Sequence, residues 1–344
     1  MTALLFVVLL VGLVVVHEFG HFIAAKWWGV RVDEFSVGFG PRLFGWKRGG
    51  TEYAFRLLLL GGYVRLYGME PGQEETADSF NSRPMLGRVI TIAAGPVMNF
   101  LLAIVLFWAL YSAVGVQSYV PGPPRIGGLE ASMPAQRAGL RPGDELLAAN
   151  GHRLGSWNAL LKTVSAAKGN PIHFTVQRAG RRFHVTITPR PDPRFKDVRH
   201  IGVLPATETL RLPFFQGLAR GAQQTANASG VLVTALVGPL THGQAPPVSG
   251  IVGIYGAVQQ AEAAGLAQIL LLAAVLSVNL GLINLVPFPP LDGERLVILA
   301  IEWIRGKRLD PQREAMVNSI GMMILLGLAV VLAYHDIVRM HGTL

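Results

Sequence analysis

The chain has 344 residues, 51% of them hydrophobic, with a formal net charge of +9 and no cysteine. So large an apolar share excludes an ordinary soluble domain. The missing cysteine excludes disulfides, iron–sulfur ligation by thiolate and thiol catalysis. No nucleic-acid-binding motif accompanies the positive charge, which therefore suits anionic membrane lipid as a partner and not nucleic acid.

The first stretch, Thr2–Ala25, is long enough to cross a bilayer, and only Glu18 interrupts it. A cleaved signal peptide is the alternative, but a basic leading region and a small-residue cleavage site are both missing. Within the stretch stands His17-Glu18-Phe-Gly-His21. Two histidines at i and i+4 share one helical face and can reach one metal ion, and the adjacent glutamate can take a proton from water. An ionisable group at the bilayer centre costs roughly 2.5–3.5 kcal/mol. A structural zinc returns on the order of 10 kcal/mol or more. The spelling and the setting together point to metal-dependent hydrolysis within a membrane.

Residues 32–66 alternate around Phe35, Val37 and Phe39 and turn at Gly40-Pro41 and Gly49-Gly50, which predicts a β-hairpin. An edge along Thr51–Leu59, with Thr51, Tyr53 and Phe55 as candidate substrate-binding residues, could pair with an unwound substrate segment. A hairpin that merely packs the domain is the plainer alternative. Val89–Val116 is a second apolar stretch, a third lies within Ala263–Leu291, and Ala315–Tyr334 is a fourth. Leu212–Leu236 suggests an amphipathic helix at the membrane surface. At the end of the third stretch, Pro287, Pro289 and Pro290 cannot continue a helix, and Asp292 follows them. Irregular backbone at membrane depth must be covered by protein or line a cavity. Asp292 either caps the next helix or completes a metal site of two histidines and one carboxylate. The other seven histidines show no metal-ligand spacing.

The predicted organisation is a helix at 1–28, a hairpin region at 29–87, a helix at 88–116 and a mixed α/β domain at 117–205 with its core at 125–189. A connecting region at 206–262 follows, then a helix at 263–291, a helix or loop at 292–314 and a last helix at 315–335. Lys and Arg number nine in Lys26–Arg88, five in Asp292–Glu314 and fifteen in the long Gln117–Glu262. The two short segments are denser, which puts them in the cytoplasm and the middle segment and both termini outside. His17 then sits about 22 Å along its helix at 1.5 Å per residue, a depth that Asp292 can also reach.

His17-Glu18-x-x-His21 and Asn284-x-x-Pro287-x-Pro289-x-Leu-Asp292-Gly293 together resemble the two signatures of the site-2 protease family. Gly61-Gly62-Tyr63-Val64-Arg65 and Gly95-Pro96-Val97-Met98-Asn99 are similar to two further family segments, and Val248–Ile254 to a third. Met133-Pro134-Ala135 through Gly139-Leu140 and Gly143-Asp144, with Asn150-Gly151, resembles one PDZ domain. The resemblance implies an α-helical multi-pass membrane protein of about four transmembrane helices, with a membrane-associated β-hairpin and one PDZ domain. It implies Zn2+ on His17, His21 and Asp292, with Glu18 as general base. Asn99 and Asn284 would bind substrate backbone or the oxyanion, with Asn279 a weaker candidate. Partners would be single-pass transmembrane substrates, with anti-sigma factors and remnant signal peptides as classes, in the inner membrane of a bacterium. The PDZ groove is expected between Ile126-Gly127-Gly128-Leu129 and Leu160–Val164, and it could take peptide C-termini; a purely steric role, screening bulky ectodomains, is the equal alternative. The competing expectations are a catalytically idle adaptor that captures peptides through its PDZ domain, and a metal transporter. An intact Glu18 speaks against the first, and a single ionisable cluster against the second.

Overall fold

The computed structural model describes residues 1–69, 72–191, 199–241 and 250–341. The chain begins with helix α1 (Thr2–Trp27), then strands β1 (Val32–Arg48) and β2 (Thr51–Leu66), then α2 (Met85–Trp108), which ends in a wider turn at Ala109–Val114. A second unit, Gly115–Arg211, separates from the rest. It holds β3 (Val116–Tyr119), β4 (Ile126–Leu129), α3 (Pro134–Arg137), β5 (Glu145–Ala149), β6 (His152–Arg153) and α4 (Trp157–Ala166). It continues with β7 (Ile172–Arg178), β8 (Arg181–Ile187), β9 (Arg190–Pro191), β10 (Arg199–His200), β11 (Val203–Pro205) and β12 (Thr207–Leu210). The chain then returns to the first unit as α5 (Phe214–Thr241), α6 (Ile251–Ala264), α7 (Leu266–Asn284), α8 (Asp292–Arg305) and α9 (Pro311–His341).

Four helical stretches are long and apolar enough to cross a membrane: Thr2–Trp27, Met85–Val114, Leu266–Asn284 and Gln312–Val338. They fall on the four stretches expected from sequence. Leu4, Val8, Leu101, Val105, Met323, Leu326 and Val330 are exposed on their outer faces, which suits lipid as the surrounding solvent. The helices approach closely where side chains are small. A Cβ on Gly20 would stand 2.3 Å from the Ala94 carbonyl oxygen, so α1 and α2 cross at this glycine. The Leu212–Leu236 stretch does form a helix, α5, which packs on α2 and α7. The segment before α7 acquires a structural purpose: the buried Asp336 carboxylate on α9 accepts the Gly253 N–H at 2.9 Å, in the first turn of α6. Val248 and Ser249 of that segment, and His242, lie outside the described residues.

The hairpin is more folded than alternation predicts. Phe35 pairs with both Val64 and Tyr53, Ser36 with both Tyr63 and Ala54, and Val37 with both Gly62 and Phe55. The other arm of β1 also pairs with β2, as Trp46 with Tyr53, Gly45 with Ala54 and Phe44 with Phe55. Tyr53, Ala54 and Phe55 therefore have neighbours on both sides. The free edge expected along Thr51–Leu59 is not there at Glu52–Phe55, which is corrected to an interior position. Thr51 is buried, its hydroxyl donating to the Val32 carbonyl at 2.8 Å. Gly61–Leu66 has β1 on one side only among the described pairings.

The second unit closes on its own core of Ile126, Leu146, Leu160, Ile172, Phe174, Val176 and Ile187. Strand order β6-β5-β7-β8 forms its main sheet, while β11 pairs with β4 and β12 with β3. Ser156 caps α4, accepting the Ala159 N–H. Asp144, fully buried, receives two hydrogen bonds from Arg178 at 2.7 and 2.8 Å and one from the Arg141 N–H at 2.9 Å. Burial alone would raise its pKa; the Arg178 and Arg141 bonds outweigh this and hold the carboxyl below its ordinary value.

Candidate active site

His17 and His21 lie on one face of α1 and are buried, at 6% and 7% exposure. Across from them α2 presents Gly95, where a Cβ would come within 2.2 Å of His21 Nε2 and 2.9 Å of His17 Cε1. Only glycine leaves room for both rings. Asp292 comes from the other end of the chain. The turn Leu285–Leu291 folds back after α7 because Gly293 lies against its backbone, with a Cβ there 2.3 Å from the Leu285 carbonyl oxygen. This fold carries Asp292, at the start of α8, onto the histidines.

Three donor atoms meet. His17 Nε2 lies 3.1 Å from Asp292 Oδ2, His21 Nε2 lies 3.4 Å from the same oxygen, and the two Nε2 atoms are 3.2 Å apart. A tetrahedral zinc with bonds of about 2.0–2.1 Å spaces its donors about 3.3 Å apart. His21 Nδ1 lies 2.9 Å from the Thr91 carbonyl oxygen. A carbonyl can only accept, so Nδ1 carries the proton and Nε2 offers a lone pair. Asp292 Oδ2 is buried and has no hydrogen-bond partner. Lone pairs converging on a buried carboxylate oxygen repel unless a cation stands among them, so the residues fit a metal ion. Among the described residues this is the one such cluster of three His, Cys, Asp or Glu.

Glu18 faces the same cluster. The Val64 backbone of β2 lies beside its carboxylate. Gly62 packs against it, with a Cβ there 3.7 Å from Glu18 Cγ. Sequence reading missed this contact because the neighbour is backbone and leaves no side-chain signature. It also missed Thr91, whose only sign is its place four residues before Gly95 and eight before Asn99.

The other sequence-predicted residues fall in different places. Asn99 is fully buried, with its amide 3.2 Å from His17 Nδ1, the ring nitrogen turned away from Asp292. The Asn284 amide donates to the Leu280 carbonyl of its own helix at 2.9 Å. Tyr53 stacks on Trp46 and meets Phe22 of α1 edge-on, while Phe55 stacks on Trp46. In the second unit, Ile126 is core, and Gly127, Gly128 and Leu129 lie along β11. The groove beside α4 is therefore not lined by β4, as expected, but by Arg199–Val203. This cavity of about 540 Å³ is bounded by Trp157, Leu160, Leu161 and Val164 across from Ile201, Gly202 and Val203. The physical reason is that Val203–Pro205 inserts as the neighbour of β4.

Two imidazoles and a carboxylate meeting beside a second carboxylate, in a chain with four helices of membrane length, define a membrane metallohydrolase. The chain belongs to Peptidase family M50, the site-2 protease family, whose model matches residues 5–328. It is 31% identical to the zinc metalloprotease RasP of Geobacillus kaustophilus, over 96% of this chain and 96% of that protein. It is also 31% identical to the regulator of sigma-W protease RasP of Bacillus subtilis, over 98% of this chain and 99% of that protein. Among solved structures, the PDZ domain of the SdrC-like protein Lmo2051 from Listeria monocytogenes is matched over 26% of this chain and 94% of that one. The identity there is 16% and the TM-score 0.23, too low to carry an argument.

Proposed function

We propose that the chain is an intramembrane zinc metalloendopeptidase that cuts peptide bonds within or near the transmembrane segment of single-pass proteins. The observation that carries this is the convergence of His17 and His21, on a helix of membrane length, with Asp292 at the start of α8, all beside Glu18. His17, His21 and Asp292 would hold the metal. Zinc, when bound there, supplies Lewis acidity that polarises the scissile carbonyl and makes water acidic near neutral pH. Glu18, beside the Val64 backbone, takes the proton of the attacking water and passes it to the departing amine. Gly61–Val64, the free side of the hairpin nearest Glu18, is where an unwound substrate backbone would find partners. Unwinding in lipid strands hydrogen-bonding groups at several kcal/mol each, so such an edge lowers the barrier. Asn284, at the end of α7, is a candidate to contact the substrate, provided its amide leaves Leu280.

The substrates are proposed to be anti-sigma factors and remnant signal peptides. The name of the Bacillus subtilis relative, regulator of sigma-W protease, supports the first class. The density of Lys and Arg supports an inner-membrane orientation with the Gly115–Arg211 unit and both termini outside. The groove of that unit is proposed to hold peptide C-termini. The test is cleavage of a single-pass substrate by the purified chain in lipid vesicles. Activity should vanish with a zinc chelator and return with zinc. Cleavage that persists in the chelated protein refutes the proposal.

A further inference from the structure

The partners of the two metal-facing imidazoles both come from α2. Thr91, Gly95 and Asn99 follow at intervals of four residues and so form one stripe on that helix. The Thr91 carbonyl fixes His21 through Nδ1, Gly95 leaves clearance for both rings, and the Asn99 amide meets His17 Nδ1 at 3.2 Å. Asn99 is itself held from its other side, because its backbone carbonyl accepts the Ser277 hydroxyl of α7 at 2.8 Å. A residue that is 0% exposed and fixed in this way has little freedom to reach a substrate.

The chemistry at His17 decides which end of the amide faces the ring. The two ends have the same shape, but one donates and the other accepts. Were the NH2 end to face Nδ1, the His17 proton would sit on Nε2, pointing at Asp292 Oδ2, and no lone pair would be left for a metal. With the carbonyl end facing Nδ1, the proton sits on Nδ1 and the Nε2 lone pair joins those of His21 and Asp292. As placed, Nδ2 lies 3.2 Å from His17 Nδ1 and Oδ1 has no hydrogen-bond partner; turning the amide over puts Nδ2 in that same unpartnered place, so the choice is made at His17.

We propose that Asn99 is a positioning residue: its side-chain carbonyl accepts the His17 Nδ1–H and holds His17 in the tautomer that can bind zinc. The proposal rests on the metal-site reading above and separates from it in the test. Zinc affinity is measured by competition with a fluorescent chelator in the Glu18→Gln background, so that turnover plays no part. Asn99→Leu should lose 10–100-fold in affinity, as removal of an outer partner of a metal-bound histidine does. Asn99→Asp, which also accepts from Nδ1–H, should hold or exceed the parent affinity. An oxyanion or substrate role predicts the opposite pattern, with both variants binding zinc like the parent and differing only in cleavage. Nitrogen NMR shifts of the zinc-free parent give a readout that needs no substitution, and His17 should carry its proton on Nδ1. A proton on Nε2, or Asn99→Leu at parent affinity, or Asn99→Asp falling as far as Asn99→Leu, overturns the proposal while leaving the metal site standing. A parent chain that binds no zinc overturns both.

Discussion

Gly95→Ala tests the packing of the site with a single methyl group. In a helix, alanine is favoured over glycine by up to about 1 kcal/mol, so propensity alone predicts a more stable protein. The site predicts harm. The new Cβ would lie 2.2 Å from His21 Nε2 and 2.6 Å from its Cε1. Normal contact begins near 3.4 Å, so the His21 donor atom must move by about 1 Å, or α1 and α2 must part by as much. Overpacking of this kind typically costs about 1–3 kcal/mol, which cancels or exceeds the helix gain. A metal site tolerates donor errors of only about 0.2 Å, and a misplacement of about 1 Å in a catalytic group can reduce rate about 100-fold. The expected result is a folded protein of near-parent stability, with cleavage reduced on the order of 100-fold and zinc affinity clearly weakened. Thermal unfolding, chelator competition and substrate cleavage measure the three. Parent-level zinc affinity and cleavage together would refute the close packing of α2 against the two imidazoles.

Val64→Pro removes the backbone N–H beside Glu18; cleavage should fall while zinc content holds, and unchanged cleavage in lipid vesicles would remove Val64 from the mechanism. Deletion of Gly115–Arg211 should leave zinc binding intact, because that unit contributes no residue to the metal cluster, and should admit substrates with larger ectodomains. Loss of cleavage even of a short, pre-trimmed substrate would end the reading of that unit as a steric screen against bulky ectodomains. Asp144→Asn should loosen residues 115–211, as read by hydrogen exchange. The folded pKa of Asp144 is depressed, so its contribution is fully present above the unfolded value of about 3.9 and is lost as pH falls through the lower folded value. The gap between parent and variant should therefore shrink below about pH 4, and a gap that persists unchanged to pH 2 would contradict the role of the Arg178 pair.

The metal cluster was legible because its signals are local. His17 and His21 are four residues apart on a helix whose apolar character is plain, and Asp292 follows a run of prolines that must stop α7. The four membrane-length helices were legible for the same reason. The hairpin edge was misjudged because alternation identifies strands but not their neighbours: nothing in Tyr53 or Phe55 says that both sides are paired. The groove beside α4 was misplaced because its other wall, Arg199–Val203, arrives more than thirty residues after the helix and carries no turn signal that links the two. Asn99 was readable as a polar residue facing the site, yet its partner is the outer nitrogen of a histidine, which only the crossing of α1 and α2 defines.

The most direct test of the account is zinc stoichiometry, by elemental analysis, across the parent and four single variants, with cleavage assayed on the same preparations. The parent should hold one zinc per chain. His17→Ala, His21→Ala and Asp292→Ala should each lose it along with activity, because each removes one of the three proposed ligands. Glu18→Gln should keep the zinc and lose cleavage, because the amide cannot accept the proton of water. Full zinc retention by Asp292→Ala, or normal turnover by Glu18→Gln, would contradict the assignment of a metal to the three converging donors and of base chemistry to the glutamate beside them.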